Sequence, residues 1–425
     1  MTRPSHLPRA GVKRLLLAFA ALALVLVGLL TAFVLYRQHQ GRDVRGSSSV
    51  EFVASEPIVA PTPAEASTIP WPLYGYDEAR THFAAALQHR PPYRTIWRFR
   101  SSSLLEFPPV IGYRRLFFAS NAGRMWAISA RTGLRAWKHD TGRCVAASPA
   151  IAERLVIQTY LNKRPCNASG DGLDGAIVAY KVGGGQVVWR RTIGPSESSP
   201  LVANGLVYAG DWNGKVWALD AQTGSVRWTH QTDGKVKGGL ALGGDTVYVG
   251  SYDHHVYALD ARTGALRWRS ASQLRLGSQG TFYATPAVAY GRVYIGGTDG
   301  KVYSYGASSG ALRWSYGTGG YVYGSPAVWH ERVYVGSYNR TFYCFDAATG
   351  EVNWSFHADG PISGSATVLD RVVYFSTLNE TTYGLDALTG RQVWSFPDGK
   401  YSPIVADSRR VYLVGYGSIY GMVEK

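Results

Sequence analysis

Few residues of this chain are arranged to do chemistry. His254 and His255 are adjacent in the turn Tyr252-Asp253-His254-His255. Neighbouring imidazoles on a turn can share a metal, but no third ligand stands near them in sequence, so a hydrogen-bonded surface pair is expected. Asp171 and Asp174, in Gly170-Asp171-Gly172-Leu173-Asp174-Gly175, lack the alternating oxygens and closing Glu of a calcium loop and read as a decorated loop. No Ser/His/Asp arrangement or phosphate-cradling glycine loop is present. The remaining reactive side chains are Cys144, Cys166 and Cys344.

The elements that must position these residues are repeats. Trp97, Trp137, Trp189, Trp228, Trp268, Trp314, Trp354 and Trp394 follow one another at steps of 40, 52, 39, 40, 46, 40 and 40 residues. A period near 40 made of short strands and tight turns is that of a β-propeller blade. Each unit holds four short runs. In one of them Thr285–Ala289 is apolar and Gly291 turns the chain. Arg292–Gly297 is β-branched and aromatic, Asp299-Gly300 turns it again, and Lys301–Tyr305 and Ala311–Trp314 complete the unit. The phrase Asp260-Ala261-Arg262-Thr263-Gly264 is the turn into the last strand: Gly takes φ > 0, and Asp and Thr side chains satisfy the turn's backbone. The Trp after it brings a large area to pack on the neighbouring blade.

Seven units are complete. The final stretch from Ser402 to Val423 supplies three strands and no fourth, whereas Thr95-Ile96-Trp97-Arg98-Phe99 is a fourth strand with no blade before it. The two fragments complete one another. The expected fold is therefore all-β: an eight-bladed propeller of four-stranded antiparallel blades, closed by strands from both termini and preceded by one transmembrane helix. Closure removes free sheet edges.

The phrase Ala258-Leu259-Asp260-Ala261-Arg262-Thr263-Gly264, closing at Trp268, resembles the tryptophan-docking repeat of the PQQ-like β-propeller superfamily. The opening segment Trp71-Pro72-Leu73-Tyr74-Gly75, with Arg80-Thr81, resembles the usual start of such propellers. The repeat is interrupted where Lys181 and Gly306 stand in place of Asp and where Gly183-Gly184-Gly185 replaces Thr-Gly. In repeat type and blade number the chain resembles the BamB-type propellers of the bacterial β-barrel assembly machinery. That implies a non-catalytic scaffold binding a protein or cell-envelope polymer, with no cofactor. The alternative is a PQQ-dependent (quinoprotein) dehydrogenase or a degenerate relative. The resemblance implies that such enzymes carry Ca²⁺, an acidic base, and a quinone held between a Trp and an adjacent-Cys disulfide. This sequence has no adjacent Cys pair and no Cys-x-x-Cys-His.

Within a four-stranded blade, the loop before the first strand and the loop between strands two and three share one face. Cys144 and Cys166 occupy those loops of the second blade and can therefore meet. A bridge there contributes roughly 3 kcal/mol and calls for an extracytoplasmic compartment. Cys344 lies within a strand and is expected to be small, buried and free.

Residues 15–36 hold no charge and are long enough to span a bilayer. The run is longer than a signal-peptide core and ends poorly for cleavage, so a signal-anchor is expected. Residues 1–14 are then a short cytoplasmic segment, 37–69 a flexible Ser/Pro/Ala-rich tether, and 70–425 the propeller, held to the cell membrane by one pass on its extracytoplasmic side. No Cys follows the helix for lipid attachment. Charged residues are 17% of the chain, below the usual quarter, as buried strands require. The net charge is +15, of which +6 precedes residue 47. The rest is scattered on turns, with no basic helix or aromatic RNA-binding motif, so nucleic acid is not an expected partner. A monomer is expected.

The shared loop face gathers Trp212, Lys235, Lys237, Tyr252, His255, Tyr283, Tyr321, Tyr323, Tyr338, Lys400 and Tyr401, together with the Gln273–Tyr283 extension. Aromatic and cationic side chains near a concave axis suit an extended peptide or an anionic glycan. This face is the expected binding surface.

Overall fold

The computed structural model describes residues 9–54, 68–166, 172–277, 279–401 and 404–425. They form two compact units. The smaller contains the helix Arg9–Gln40 and residues 273–279. Gln273 Nε2 donates to the carbonyls of Gln40 and Arg42 at 3.2 and 2.9 Å, holding the turn after the helix. The helix is longer than the uncharged run at both ends. From Leu15 to Tyr36 its large apolar side chains are exposed all round, so it has no polar face to offer water. It is long and apolar enough to cross a membrane.

The larger unit holds eight four-stranded antiparallel sheets. Seven are consecutive in sequence, from Val110–Gly112 with its three following strands to Thr367–Leu369 with its own. The eighth joins Val405–Ala406, Val411–Val414 and Ser418–Glu424 to Tyr93–Arg100, with Phe99 opposite Ile419 and Arg98 opposite Tyr420. Inner strands are three residues or fewer and lie beside one another around the axis. The middle strands are buried almost throughout because blades cover both of their faces; Leu155–Tyr160 is one. The outermost strands alternate, and in Arg135–Asp140 only Trp137 is buried.

Seven of the eight repeat Trp dock on the turn of the following blade. The indole N–H of Trp228 donates to Ala261 O at 3.0 Å, and Trp137, Trp189, Trp268, Trp314 and Trp354 repeat the contact one blade on. The ring lies under the turn glycine. Gly264 has φ +74°, and a Cβ there would stand 2.5 Å from the Trp228 ring, so conformation and space both demand glycine. Trp97 from the N-terminal strand lies under Gly133 in the same way, and Trp394 packs against Tyr93 in the closing blade.

The two blades that lack the repeat Asp keep the turn by other means. In blade two, Gly185 N still bonds Lys181 O at 2.8 Å, and Arg115 of blade one donates to the carbonyls of Val182 and Gly183, both at 2.6 Å. In blade five the carboxylate arrives from outside the repeat. Glu51 accepts from Ser308, from Ser309 at 2.7 Å and from Arg313 Nε at 2.8 Å. Any Cβ on Gly306 would fall 1.8 Å from Glu51 Oε2.

Glu51 belongs to the segment read from sequence as flexible tether. Over 43–54 that expectation is corrected: the chain is a docked strap on blades five and six. Val44 bridges to Ser315, Asp43 pairs with Lys301 at 2.9 Å, Gly46 N bonds Thr349 O at 2.9 Å, and Phe52 packs on Tyr290. The buried Arg292 donates to the carbonyls of Ser47, Val50 and Glu51. Composition alone hid this, because the partners lie about 250 residues away. Residues 37–40 of the expected tether continue the helix, and 55–67 lie outside the described residues, as do residues 1–8 of the N-terminal segment.

Candidate binding site

The axis of the ring is filled by the opening segment. Trp71 N bonds Ile111 O, and Pro72 O accepts from Ile151 N. Glu78 O accepts from Leu242 N, Ala79 O from Val288 N, Thr81 O from Val328 N and His82 O from Val368 N. The plug thus pairs with the inner strands of six blades, satisfying backbone groups that a hollow channel would leave to water. Arg80 is fully buried and donates to the carbonyls of Tyr74, Ser199, Pro200 and Leu240, fixing the plug to blades three and four. Burial lowers its pKa to about 10, which leaves it cationic at neutral pH.

Above the plug, hydroxyls at the heads of the inner strands tie blade to blade. Ser199 Oγ accepts from Ser148 N, Thr285 Oγ1 from Gly239 N, Ser325 Oγ from Thr285 N and Ser365 Oγ from Ser325 N, at 2.8–3.1 Å. Tyr74 of the plug points its hydroxyl at Ser325 and Ser365. Tyr74, Ser199, Thr285, Ser325 and Ser365 form the floor of a cavity of about 360 Å³.

Its walls come from the loops of the shared face: Glu106 and Phe107, Glu197, Lys237, Tyr252, Tyr283, Tyr323, Tyr338 and Tyr401. The loops are tied in pairs by backbone bonds, Tyr252 N to Lys235 O at 2.9 Å and Tyr338 N to Tyr321 O at 3.0 Å. Lys237 is the cationic centre. Its Nζ lies 4.6, 5.4 and 5.8 Å from the ring centres of Trp212, Tyr252 and Tyr283, and 3.5 Å from Glu197 Oε2. That last distance makes an ion pair but not a good hydrogen bond. Lys237 and Tyr283 are both placed to donate to the Glu197 carboxyl. Burial, and next the charge of Glu197, push Glu106 up to about 7. Glu197 is itself raised by burial against the pull of Lys237. Burial also raises the phenols of Tyr283 and Tyr252, so both are neutral hydrogen-bond donors.

Six of the residues singled out from sequence thus line one cup: Lys237, Tyr252, Tyr283, Tyr323, Tyr338 and Tyr401. Trp212 borders it beneath Lys237, and Lys235 covers the same indole at 5.0 Å. Tyr321, 52% exposed, packs at a tilt on Tyr323 and edge to face on Tyr338 at the rim. Lys400 lies over Tyr416 and pairs with Glu380. His255 stands apart: its Nδ1 is 2.8 Å from Asp253 O, while His254 turns to Gly280 O, so the two imidazoles do not converge. The Gln273–Tyr283 extension is divided, because 273–279 belong with the helix and only Tyr283 reaches the cup. Asp174 pairs with Arg143 at 2.6 Å; Asp171 lies outside the described residues. Cys144 and Cys166 form a disulfide with Cα atoms 5.4 Å apart, away from the cup, and Cys344 is buried and free. Sequence reasoning missed Glu106, Glu197 and the hydroxyl ladder. The recurring Ser-Pro and Thr-Pro before inner strands, as in Ser148-Pro149 and Thr285-Pro286, was the available signal for the ladder.

The ring of repeats, the docked tryptophans and the plugged axis define a PQQ-repeat β-propeller. The family model described as outer membrane protein assembly factor BamB matches residues 93–194, 173–321 and 299–419, and the chain belongs to that family. It shares 28% identity over 152 residues with outer membrane protein assembly factor BamB of Burkholderia pseudomallei, covering 33% of this chain and 35% of that one. It shares 26% over 171 residues with tetrathionate hydrolase of Acidithiobacillus ferrooxidans, covering 35% and 32%. The chain thus spans about a third of the length of these relatives. In fold it is similar to BamB from Moraxella catarrhalis (TM-score 0.65, 17% identity, 78% of this chain and all of that one). It is equally similar to quinohemoprotein alcohol dehydrogenase from Comamonas testosteroni (TM-score 0.69, 15% identity, 85% and 82%).

Proposed function

We propose that this protein is a membrane-tethered, extracytoplasmic propeller that binds a protein or cell-envelope polymer at its axial cup without acting on it chemically. The cup itself carries the reading: it is closed below by the plug, aromatic along much of its wall, and among the described residues pairs no nucleophile with a base. An apolar helix with no polar face and a disulfide in the second blade both favour the extracytoplasmic side. The rival is a quinoprotein dehydrogenase, whose fold this chain shares. The residues here do not suit a quinone with Ca²⁺. Among the described residues no three His, Cys, Asp or Glu side chains could hold one metal, and the disulfide joins cysteines 22 residues apart outside the cup. A quinone bearing several carboxylates would meet the carboxyls of Glu106 and Glu197 in the cup wall.

Two measurements separate the readings. Protein supplied with PQQ and Ca²⁺ should develop no bound-quinone spectrum and no dye-linked alcohol oxidation; either would favour the enzyme. Replacing Tyr321, Tyr323 and Lys237 together by Ala should leave melting nearly unchanged while partners crosslinked in native membranes are lost. Unaltered crosslinking by that folded variant would refute the cup as the binding surface. For the topology, protease added to intact spheroplasts should digest the propeller, and non-reducing peptide maps should recover Cys144 joined to Cys166.

A further inference from the structure

One loop of the chain is longer than the repeat requires, and it carries leucines. The step from Trp268 to Trp314 is 46 residues where the usual step is 40, and the added residues fall in the extension Gln273–Tyr283. The corresponding turns Asp233-Gly234, Gly319-Gly320 and Asp359-Gly360 carry no large apolar side chain. Here Leu274 and Leu276 are 38% and 40% exposed.

The end of the helix Arg9–Gln40 holds this loop in place. Gln273 donates to the carbonyls of Gln40 and Arg42, where a helix end leaves carbonyls without intrahelical partners. A Cβ on Gly41 would stand 3.1 Å from Arg275 Cβ and 3.4 Å from Leu274 O, so the loop lies close against the residue that follows the helix. Exposure alternates along the segment. Gln273 and Arg275 are the half-buried pair, and Leu274 and Leu276 are the exposed pair. The helix itself exposes large apolar side chains as far as Tyr36, about one turn before Gln40, and Arg37 and His39 occupy its last turn. In a spanning helix such a basic turn lies where hydrocarbon gives way to headgroups. The two leucines are therefore fixed beside the level at which an apolar side chain can leave water.

We propose that Leu274 and Leu276 enter the outer leaflet beside the helix, so that the chain meets the lipid bilayer at a second point. The inference rests on the membrane tether proposed above. Two leucines bury too little area to hold a protein to a bilayer by themselves. Next to a spanning helix they need not, because the helix already brings the loop to the interface and their burial costs no further translational freedom. Each leucine that leaves water then adds a favourable transfer.

The full chain carrying Leu276→Cys, and separately Leu134→Cys, should be labelled with a small environment-sensitive fluorophore and placed in phosphatidylcholine nanodiscs, which leave both membrane faces open to solutes. Cys144 and Cys166 are joined, and Cys344 is buried with its thiol pushed up to about 11 by that burial, so only the introduced thiol should react. Leu134, 71% exposed in the turn before the outermost strand of blade one, is the solvent reference. Iodide should quench the label at 276 several-fold less than the label at 134. Phosphatidylcholine bearing a nitroxide near the head of its acyl chain should quench 276 and leave 134 unchanged. In the unlabelled chain, Leu274→Ser with Leu276→Ser should melt as the parent does, while hydrogen exchange at 273–277 quickens several-fold. Equal iodide quenching at the two positions, no quenching of 276 by the nitroxide lipid, or unchanged exchange in the double serine variant would each overturn the proposal. If protease digests the propeller on spheroplasts while the label at 276 answers only to iodide, the tether stands and the loop contact alone falls. If the propeller is protected there, the tether falls and the loop contact with it.

Discussion

In blade four, Asp260 accepts from Thr263 N and Oγ1, from Arg262 N and from Arg267, all within its own turn and outer strand. In blade five the equivalent position is Gly306, and Arg313, the counterpart of Arg267, is met by Glu51 from the strap. The donors are alike, but one carboxylate is local and the other arrives from a segment preceding the propeller. Blade four is therefore complete as a repeat. Blade five is completed only when the strap docks, and its glycine is the space the visitor needs. A departure from a repeat pattern can thus mark a docking site rather than a decayed turn.

The comparison can be broken most severely from the glycine side. Gly306→Asp places a Cβ where Glu51 Oε2 now sits and adds a like charge beside it. It should cost the docked strap about 3 kcal/mol. Hydrogen exchange across 44–53 should then lose protection while the propeller core keeps its own; retained strap protection would contradict the substitution of one carboxylate for another. Glu51→Ala leaves Arg313 and two serines unmet, and should loosen the strap by about 2 kcal/mol with the same localisation. In blade four, Asp260→Ala should cost about 1 kcal/mol, discounted for its partly exposed ion pairs, and appear as a fall of about 2–4 °C in melting temperature with the strap untouched. If Asp260→Ala instead exposed the strap, the two turns would not be independent.

Acid should produce the smallest effect. Burial opposes ionisation of Glu51, but hydrogen bonds from Ser308, Ser309 and Arg313, with the Arg313 charge, outweigh it and hold the pKa at about 2 against an ordinary 4.5. The carboxylate's contribution is therefore complete above about 4.5 and lost only as pH falls towards 2. Strap protection should be unchanged from neutral pH down to about 5; release at pH 6 would implicate another group.

The tryptophans were legible because each is fixed to its turn by spacing: the phrase ending at Trp268 repeats around the ring and demands the same hairpins each time. The incomplete ends, Thr95–Phe99 and Ser402–Val423, declared the closing blade for the same reason. Tyr252, Tyr283 and Tyr323 could be placed on one face because loop position follows from strand order. Glu106 and Glu197 could not, since nothing local distinguishes a loop carboxylate aimed at the axis from one aimed at water.

What the sequence by itself determined is periodic: blade number, the means of closure, the docked tryptophans, the shared loop face and an N-terminal helix apolar enough to cross a membrane. Periodicity reports each residue's setting relative to its own strand, and a hydrogen-bonded hairpin largely dictates that setting. Only the tertiary structure decided the contacts between distant segments: Arg80 sealing the axis from blades three and four, Glu51 filling the gap over Gly306, and Glu197 meeting Lys237 in one cup. Such contacts join residues from about 40 to more than 250 positions apart. They come into being only when the ring closes and brings its inner strands to a common axis.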